Sequence, residues 1–502
     1  MAFIDAIPIL FTPFNLFLIT SGVLIGIVVG IIPGLSAAMA VALLIPFTYG
    51  LEPINGMAML VAVFVGGISG GCITALLLRM PGTPSSVATL LDGYPMASGG
   101  QAGRAIGLAV FSSMIGTLIS AVILILAAPL AAAFAVKFYF PEYVAVCIFG
   151  LTAIAALSGG SLVKGLFSAL LGLFAATVGI SQVDGVPRFD FQQDALLGGL
   201  NLLPALIGLF AVAQIMHEAS RPAGEKVKPV TMSDSVIPRM ADLGPNAWNF
   251  LRSGLIGTIV GVMPAMGGGP AGLIAYAQAK NAARKDAEPR FGEGAPGGVI
   301  AAETANNATI GGALIIMLTL GIPGDPVSAV LIGGLMIHGL QPGPQLFTQN
   351  PEVVYSIYLS MLVSSVLMAV ILFSFSRVLS KVAMVPGHIL HPPLLLFAAI
   401  GVYGLNNNLV DVWVMLGFGL LGYSLERLRV PLPPLVLGLV LGPILEGNLR
   451  KMVDTFGSIN ELFTRPIALT FIVLTVVSVA FSVYRQVRSR DKVRRGIDRA
   501  VD

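Results

Sequence analysis

Two short stretches carry residues able to bind an anion without a buried cation. "PGTPSS" at 81–86 and "PGDPVS" at 323–328 each interrupt an apolar run. A helix that restarts after such a break presents free N–H groups and the positive end of its dipole, a receptor for carboxylate or phosphate. Pro84 suits the first helical position, where its missing N–H costs nothing. Gly82, Thr83, Ser85 and Ser86 form the first candidate anion tip, and Gly324, Asp325 and Ser328 the second. A different chemistry sits in "AAETANNATIGG" at 301–312. There Glu303, Thr304, Asn306, Asn307 and Thr309 gather a carboxylate, amides and hydroxyls within about two helical turns. Hard cations want oxygen ligands of this kind, so these five are read as a cation site. Asp325 disfavours an anion and joins them as a cation ligand or proton carrier. The plainer alternatives are a surface turn for each break and a polar packing face for 301–312.

Rival chemistries have weaker footing. "GISG" at 67–70 matches an intramembrane serine protease pattern, with Ser69 as nucleophile, but such a serine needs a nearby base. Of His217, His338, His388 and His391, only His338 lies near an apolar segment, and a small-residue packing face explains "GGISGG" without chemistry. "PGD" at 323–325 is an incomplete aspartyl-protease pattern with no good second Asp. His388 and His391 lack a third metal ligand, Cys72 and Cys147 are isolated, and no phosphate-binding G-x-x-x-x-G-K-[ST] occurs. The chain is therefore read as a non-enzyme. Asp92 in "LLDGYP" is expected to cap a turn. Arg79 either attracts substrate charge or marks an interface.

The elements that must position these groups are membrane helices. Of 502 residues 56% are hydrophobic and 11% charged, with a mean hydropathy of +0.90, where a soluble protein carries about 25% charged residues. The fold class is an all-α polytopic membrane protein of roughly ten to fourteen segments, some of them half-helices or hairpin arms. Windows near 57–79, 105–134, 250–275, 298–320 and 353–375 are among the expected spans. The 59 glycines and 33 prolines lie largely within apolar segments, as tight packing and interrupted helices require.

The pattern is written twice. Gly26, Gly30 and Pro33 match Gly257, Gly261 and Pro264 at an offset of 231, and Pro81-Gly82-Thr83-Pro84 matches Pro323-Gly324-Asp325-Pro326 at 242. The eleven extra residues fall in the charged stretch "NAARKDAEPRFGEGAPGG". Interrupted apolar segments at corresponding places in two halves point to a transport site at their interface. The expected division is a first half over 1–218, a linker over 219–249, a second half with C-terminal spans over 250–484, and a basic tail over 485–502. The repeats are expected to be inverted, although the span boundaries leave a parallel arrangement open. Seven Lys or Arg residues between Arg485 and Arg499, with a basic central loop, put tail and linker in the cytoplasm. No Lys or Arg precedes Arg79, so a cleaved signal peptide is not expected.

"GIIPGLSAAMAVALLIPFTYGL", "MPGTPSSVATLLDGYPMASGGQAGRAIG", "GEGAPGGVIAAETANNA" and "LGIPGDPVSAVLIGGLMIHGLQPGPQLF" together resemble the large membrane subunit of the tripartite tricarboxylate transporters, the TctA family, over nearly the whole length. The resemblance implies a multi-pass secondary transporter of the bacterial inner membrane that imports citrate or another di- or tricarboxylate. It implies coupling to Na+ or H+, a small membrane subunit and a periplasmic solute-binding protein as partners, and neither cofactor nor nucleic acid. Its motifs map onto residues 30–36, 81–86, 303–307 and 323–326, which adds Gly34 and Ser36 to the substrate residues. Ala265 stands where the repeat would put a glycine opposite Gly34, and Asp325 where a small hydroxyl residue would be unremarkable. A passive anion channel is the other transport reading.

Overall fold

The computed structural model describes residues 7–501 apart from 9, 158–160, 182–183, 221–229, 265, 285–288 and 386, with backbone only for 157, 387, 388 and 485–501. Arg221, Lys226, Lys228, Ala265 and Lys285, and the side chains of His388 and the basic tail, therefore lie outside the described residues. The described chain is almost entirely helical. Its principal helices are α1 (Pro13–Ile31), α2 (Ala37–Thr48), α3 (Pro53–Leu78), α4 (Leu90–Met96), α5 (Ala102–Ala135), α6 (Phe140–Leu157) and α7 (Leu162–Ala175). They continue with α8 (Leu202–Ala219), α9 (Ala247–Val262), α10 (Gly268–Ala282), α11 (Pro296–Leu320), α12 (Pro326–Ile337), α13 (Pro351–Leu379), α14 (Gly387–Asn406), α15 (Leu409–Arg427), α16 (Pro433–Phe456) and α17 (Pro466–Val501). Nine helices among the described residues are long and apolar enough to cross a membrane, and four more are apolar but shorter. The window expected at 250–275 is not one span. It holds most of α9, which ends at Val262, and the start of α10 at Gly268, because Pro264 cannot continue a helix.

The chain forms two compact units, each drawing on both sequence halves: residues 1–136 with 203–423, and residues 137–202 with 424–502. In the second unit a short antiparallel pair, β1 (Gly179–Ile180) with β2 (Pro187–Arg188), follows α7. Arg188 grips Glu446 with both terminal nitrogens, at 2.8 and 3.1 Å. The buried Glu142 accepts from Arg465 Nε at 2.6 Å.

The first unit contains the duplication, and the repeat is one of contacts as well as letters. A Cβ on Gly26 would come within 3 Å of the Val63 carbonyl oxygen, and one on Gly30 equally close to that of Gly67. At the offsets of 231 and 242, Gly257 meets Ala305 and Gly261 meets Thr309 in the same way. The next turn agrees: Gly70 lies on the Ile27 carbonyl and Gly312 on that of Thr258. Thus α1 on α3 and α9 on α11 are one packing motif, made by small residues that let backbones touch. Both long helices end in a left-handed residue, Arg79 at φ 56° and Gly321 at φ 70°. Each chain then doubles back, so that Gly82 packs on the Gly30 carbonyl and Gly324 on that of Gly261 (2.6 and 2.5 Å to an added Cβ).

The directions of the helices identify the repeats as inverted. The Val230 N–H donates to Leu77 at the end of α3, and four residues on the Asp234 carboxylate accepts from the N–H groups of Gly103 and Arg104 at the start of α5, so α3 and α5 run oppositely. Along α5, Ser113 meets Glu303 and Ser120 meets Gly311, so α5 runs with α11. The equivalent helices α3 and α11 therefore run oppositely. The apolar windows of α3 and α11 are wholly buried, which makes these two helices the axis of the unit. The extra residues of the second repeat lie between α10 and α11, where α2 and α3 are joined by a turn of four residues (49–52).

The backbone contacts set a stability test. Gly30→Val and Gly261→Val each force a side chain against a carbonyl and are expected to cost about 1–3 kcal/mol. Thermal unfolding in detergent should show the loss, while Gly50→Ala, with nothing within 4 Å, leaves the transition unmoved.

Candidate transport site

At the first break Thr83, Ser85 and Ser86 are all buried. Thr83 Oγ1 lies 2.8 Å from Ser85 Oγ and 3.1 Å from Ser86 Oγ, so the three hydroxyls form one hydrogen-bonded set. Pro84 opens a 3-10 turn, Pro84–Val87, in which the Ser86 N–H already donates to the Thr83 carbonyl. The second break differs. Asp325 caps α12 with its own carboxylate, accepting from the Ser328 N–H at 2.7 Å, while its N–H donates to Ser328 Oγ at 2.9 Å. The positive end of α12 is thus answered from within the chain, and the two sequence-matched tips are not equivalent receptors. Ser36 similarly caps α2, accepting from the Met39 N–H at 3.1 Å. Gly34, left-handed at φ 87°, is covered by α8: Gln214 Nε2 donates to its carbonyl and the Glu218 carboxylate lies against it.

The cation residues of α11 do not converge on one point. Glu303 and Asn307, one turn apart, face α3 and α5. Glu303, completely buried, accepts from Thr89 Oγ1, from Ser113 Oγ at 3.1 Å and from Asn307 Nδ2 at 3.2 Å. Asn307 Nδ2 also donates to Ser113 Oγ at 2.8 Å, and Asn307 Oδ1 accepts from Ser69 Oγ at 2.7 Å. Thr309 turns back and donates to the Asn306 carbonyl at 2.6 Å. Asn306 turns its amide oxygen against Gly268 of α10, and its amide also stands near the Glu303 carboxylate. Its amide oxygen and nitrogen, and the Thr304 hydroxyl, are buried without a hydrogen-bond partner. Among the described residues no cluster of three metal-ligating His, Cys, Asp or Glu side chains occurs.

Thr89 and Ser113 complete this polar centre, and sequence reasoning missed both because an isolated hydroxyl in an apolar helix carries no pattern. Ser69 belongs to the same centre in a role unlike a nucleophile's. Its hydroxyl donates to an amide oxygen and to the Val65 carbonyl at 2.9 Å, neither of which is a base. The equivalents of Glu303, Asn306 and Asn307 in the first repeat are Val61, Phe64 and Val65. The carboxylate and amides of the centre are therefore carried by the second repeat alone, and the packing motif does not need them.

The other singled-out residues hold structure. Asp92 caps another segment: its Oδ1 accepts from the N–H groups of Gly292, Gly294 and Ala295 at 2.8–2.9 Å, fixing the approach to α11. Arg79 stacks over the Tyr94 ring, 5.5 Å from its centroid. His338 Nε2 lies 3.3 Å from Thr48 Oγ1.

Residues 16–437 match the model of the tripartite tricarboxylate transporter TctA family. A 52.8 kDa protein of Agrobacterium vitis, described only by its position in the TAR-I ttuC' 3' region, is 35% identical over 96% of both chains. A second Agrobacterium vitis protein, from the TAR-II ttuC' 3' region, is 37% identical over 47% of this chain and 98% of its own. No solved structure matches. With the match extending over most of its length, on a helical membrane fold of the expected kind, the chain belongs to the tripartite tricarboxylate transporter TctA family.

Proposed function

We propose that this protein is the substrate-translocating large subunit of a tripartite secondary transporter that imports a di- or tricarboxylate such as citrate. A small membrane subunit assembles with it, a periplasmic binding protein delivers the anion, and a Na+ or H+ gradient drives uptake. The observation that carries the reading is the wholly buried Glu303 centre beside the first helix break, within inverted repeats. Inverted repeats with interrupted helices supply two related conformations around one site, as alternating access demands. A buried carboxylate served by hydroxyls and an amide, with no ion pair to a basic side chain among the described residues, fits a group that exchanges a proton or small cation during transport.

The membrane orientation follows from the linker. Its Val230 N–H donates to Leu77, and its Asp234 carboxylate accepts from the N–H groups of Gly103 and Arg104 at 2.6 and 2.8 Å. Arg377 Nη2 also reaches the Asp234 carbonyl at 3.3 Å. The end of α3, the start of α5 and the end of α13 therefore share one face, which carries Arg79, Arg104, Arg377 and Lys381. By the positive-inside rule we take that face as cytoplasmic, in the inner membrane of a bacterium, and the seven Lys or Arg residues of the tail support a cytoplasmic C-terminus by the same rule.

Proteoliposomes holding this chain and its small subunit, supplied with the binding protein, test the reading. Accumulation of labelled citrate or succinate that depends on an imposed ion gradient is the expected result; gradient-independent equilibration would make the protein a passive channel. In that assay Glu303→Gln, which keeps the side chain's shape and removes the ionisable group while putting a donor NH2 where one oxygen accepts, should abolish gradient-driven accumulation while retaining substrate counterflow. The double variant Ser85→Ala, Ser86→Ala should insert normally and lower uptake about tenfold, the scale of one or two lost hydrogen bonds. Wild-type uptake in that variant would remove these hydroxyls from the site.

A further inference from the structure

The linker between the two repeats is seated on α5 by its backbone. A Cβ on Gly103 or Gly107 would collide with the carbonyl oxygens of Asp234 and Val236, and the Asp234 carboxylate is committed to the N–H groups of Gly103 and Arg104. The other edge of the linker faces the last turns of α13. Among the described residues it meets them through one hydrogen bond, from Arg377 Nη2 to the Asp234 carbonyl at 3.3 Å. Between the two lies a cavity of about 440 Å³, walled by residues 233–237 on one side and by Phe373, Ser374, Ser376 and Arg377 on the other. That volume is in the range of small-ligand sites, and the glycine contacts to α5 hold its linker wall in place.

The polar groups of the cavity are uncommitted. Ser376 is 1% exposed and lines it, yet its hydroxyl has no hydrogen-bond partner among the described residues, a costly state for a buried group. The hydroxyls of Ser233 and Ser374 have none either, and Arg377 has no carboxylate partner among those residues. A second observation concerns the lipid side of α13, a helix long and apolar enough to cross a membrane. Val366, Val370, Ser374 and Arg377 are exposed along one stripe of it. The valines are 47% and 54% exposed, as lipid-facing residues are, and the stripe turns polar where it reaches the cavity. A basic residue that only marks topology requires neither a cavity nor hydroxyls beside it.

We propose that this cavity binds the phosphodiester headgroup of an anionic phospholipid such as phosphatidylglycerol, with an acyl chain lying along the Val366 and Val370 stripe of α13. The unengaged N–H groups of Arg377 and the hydroxyls of Ser233, Ser374 and Ser376 donate to the phosphate oxygens, a charge-assisted set. Phe373, Val236 and Ile237 supply the apolar part of the wall. A zwitterionic lipid fits less well, because the one carboxylate lining the cavity, that of Asp234, is already taken and leaves nothing to answer an ammonium group. The bound lipid bridges α13 to the linker and, through Asp234, to the start of α5. Only the choice of the cytoplasmic leaflet rests on the orientation taken above; the site itself is independent of what the protein carries.

The test uses the full chain purified in detergent and supplied with phosphatidylglycerol or phosphatidylcholine. Native mass spectrometry is expected to show phosphatidylglycerol retained in preference to phosphatidylcholine. The same lipid should raise the unfolding temperature by a few degrees, as a ligand of the folded state does. Arg377→Gln and Ser374→Leu, the second filling the cavity from an exposed position, should each weaken phosphatidylglycerol retention about tenfold, the scale of a lost charge-assisted hydrogen bond, and abolish the shift. The retention reading holds for either variant even where its stability in phosphatidylcholine falls. Lys381→Gln removes the same charge one turn further on without lining the cavity, and should keep both the lipid and the shift. Wild-type retention in both Arg377→Gln and Ser374→Leu overturns the site, and so does an equal loss in Lys381→Gln, which would reduce the effect to general surface charge. A shift reproduced by millimolar inorganic phosphate without lipid overturns the lipid assignment in favour of a soluble anion.

Discussion

The close approach of helix backbones at α1 on α3 and α9 on α11 is the constraint from which the rest of the first unit follows. In a bilayer the lipid tails are as apolar as leucine, so burying more leucine between helices gains little; contact has to come from shape. Glycines at Gly26 and Gly30, and again at Gly257 and Gly261, bring the helices to backbone contact. That contact determines where the following breaks fall, because Gly82 and Gly324 each come to rest on the carbonyl of the last glycine in the preceding pair. The breaks lie in protein, where the loss of helical hydrogen bonds can be made good by other groups.

On this symmetric frame the chemistry is asymmetric. Glu303 and Asn307 of α11 are answered by Ser69, Thr89 and Ser113, all from the first repeat, while the equivalent stretch of α3 offers only apolar side chains. Each polar group in the centre therefore depends on donors from the opposite repeat. A motion that slides one repeat past the other must break or exchange these hydrogen bonds together. Such coupling between a buried charge and a conformational step is the property a gradient-driven carrier requires.

Much of the frame was legible in the letters. The paired glycine and proline spacings and the eleven-residue insertion map onto real packing, because backbone contact admits very few residue types. The site was legible only in part. Glu303 and Asn307 stood out as polar residues in an apolar helix, but which way each faces depends on neighbours far away in sequence. Thr89 and Ser113 had no local signature, and Gln214 with Glu218, which cover Gly34, were visible merely as two polar residues one turn apart on α8. The symmetry between Pro-Gly-Thr-Pro and Pro-Gly-Asp-Pro also promised more than it delivered. The Asp325 carboxylate caps its helix where the Thr83 hydroxyl bonds to neighbouring hydroxyls instead, and spacing alone does not distinguish the two.

The clasp between Asp92 and the N–H groups of Gly292, Gly294 and Ala295 has a bearing on biogenesis. A ribosome delivers Asp92 to the membrane some two hundred residues before its partners exist, and Ser69, Thr89 and Ser113 wait equally long for α11. During that interval the first repeat holds an ionisable group and several hydroxyls with no final partner, in a solvent that offers few others. The polar contacts of the first repeat can thus close only after the loop that precedes α11 has emerged.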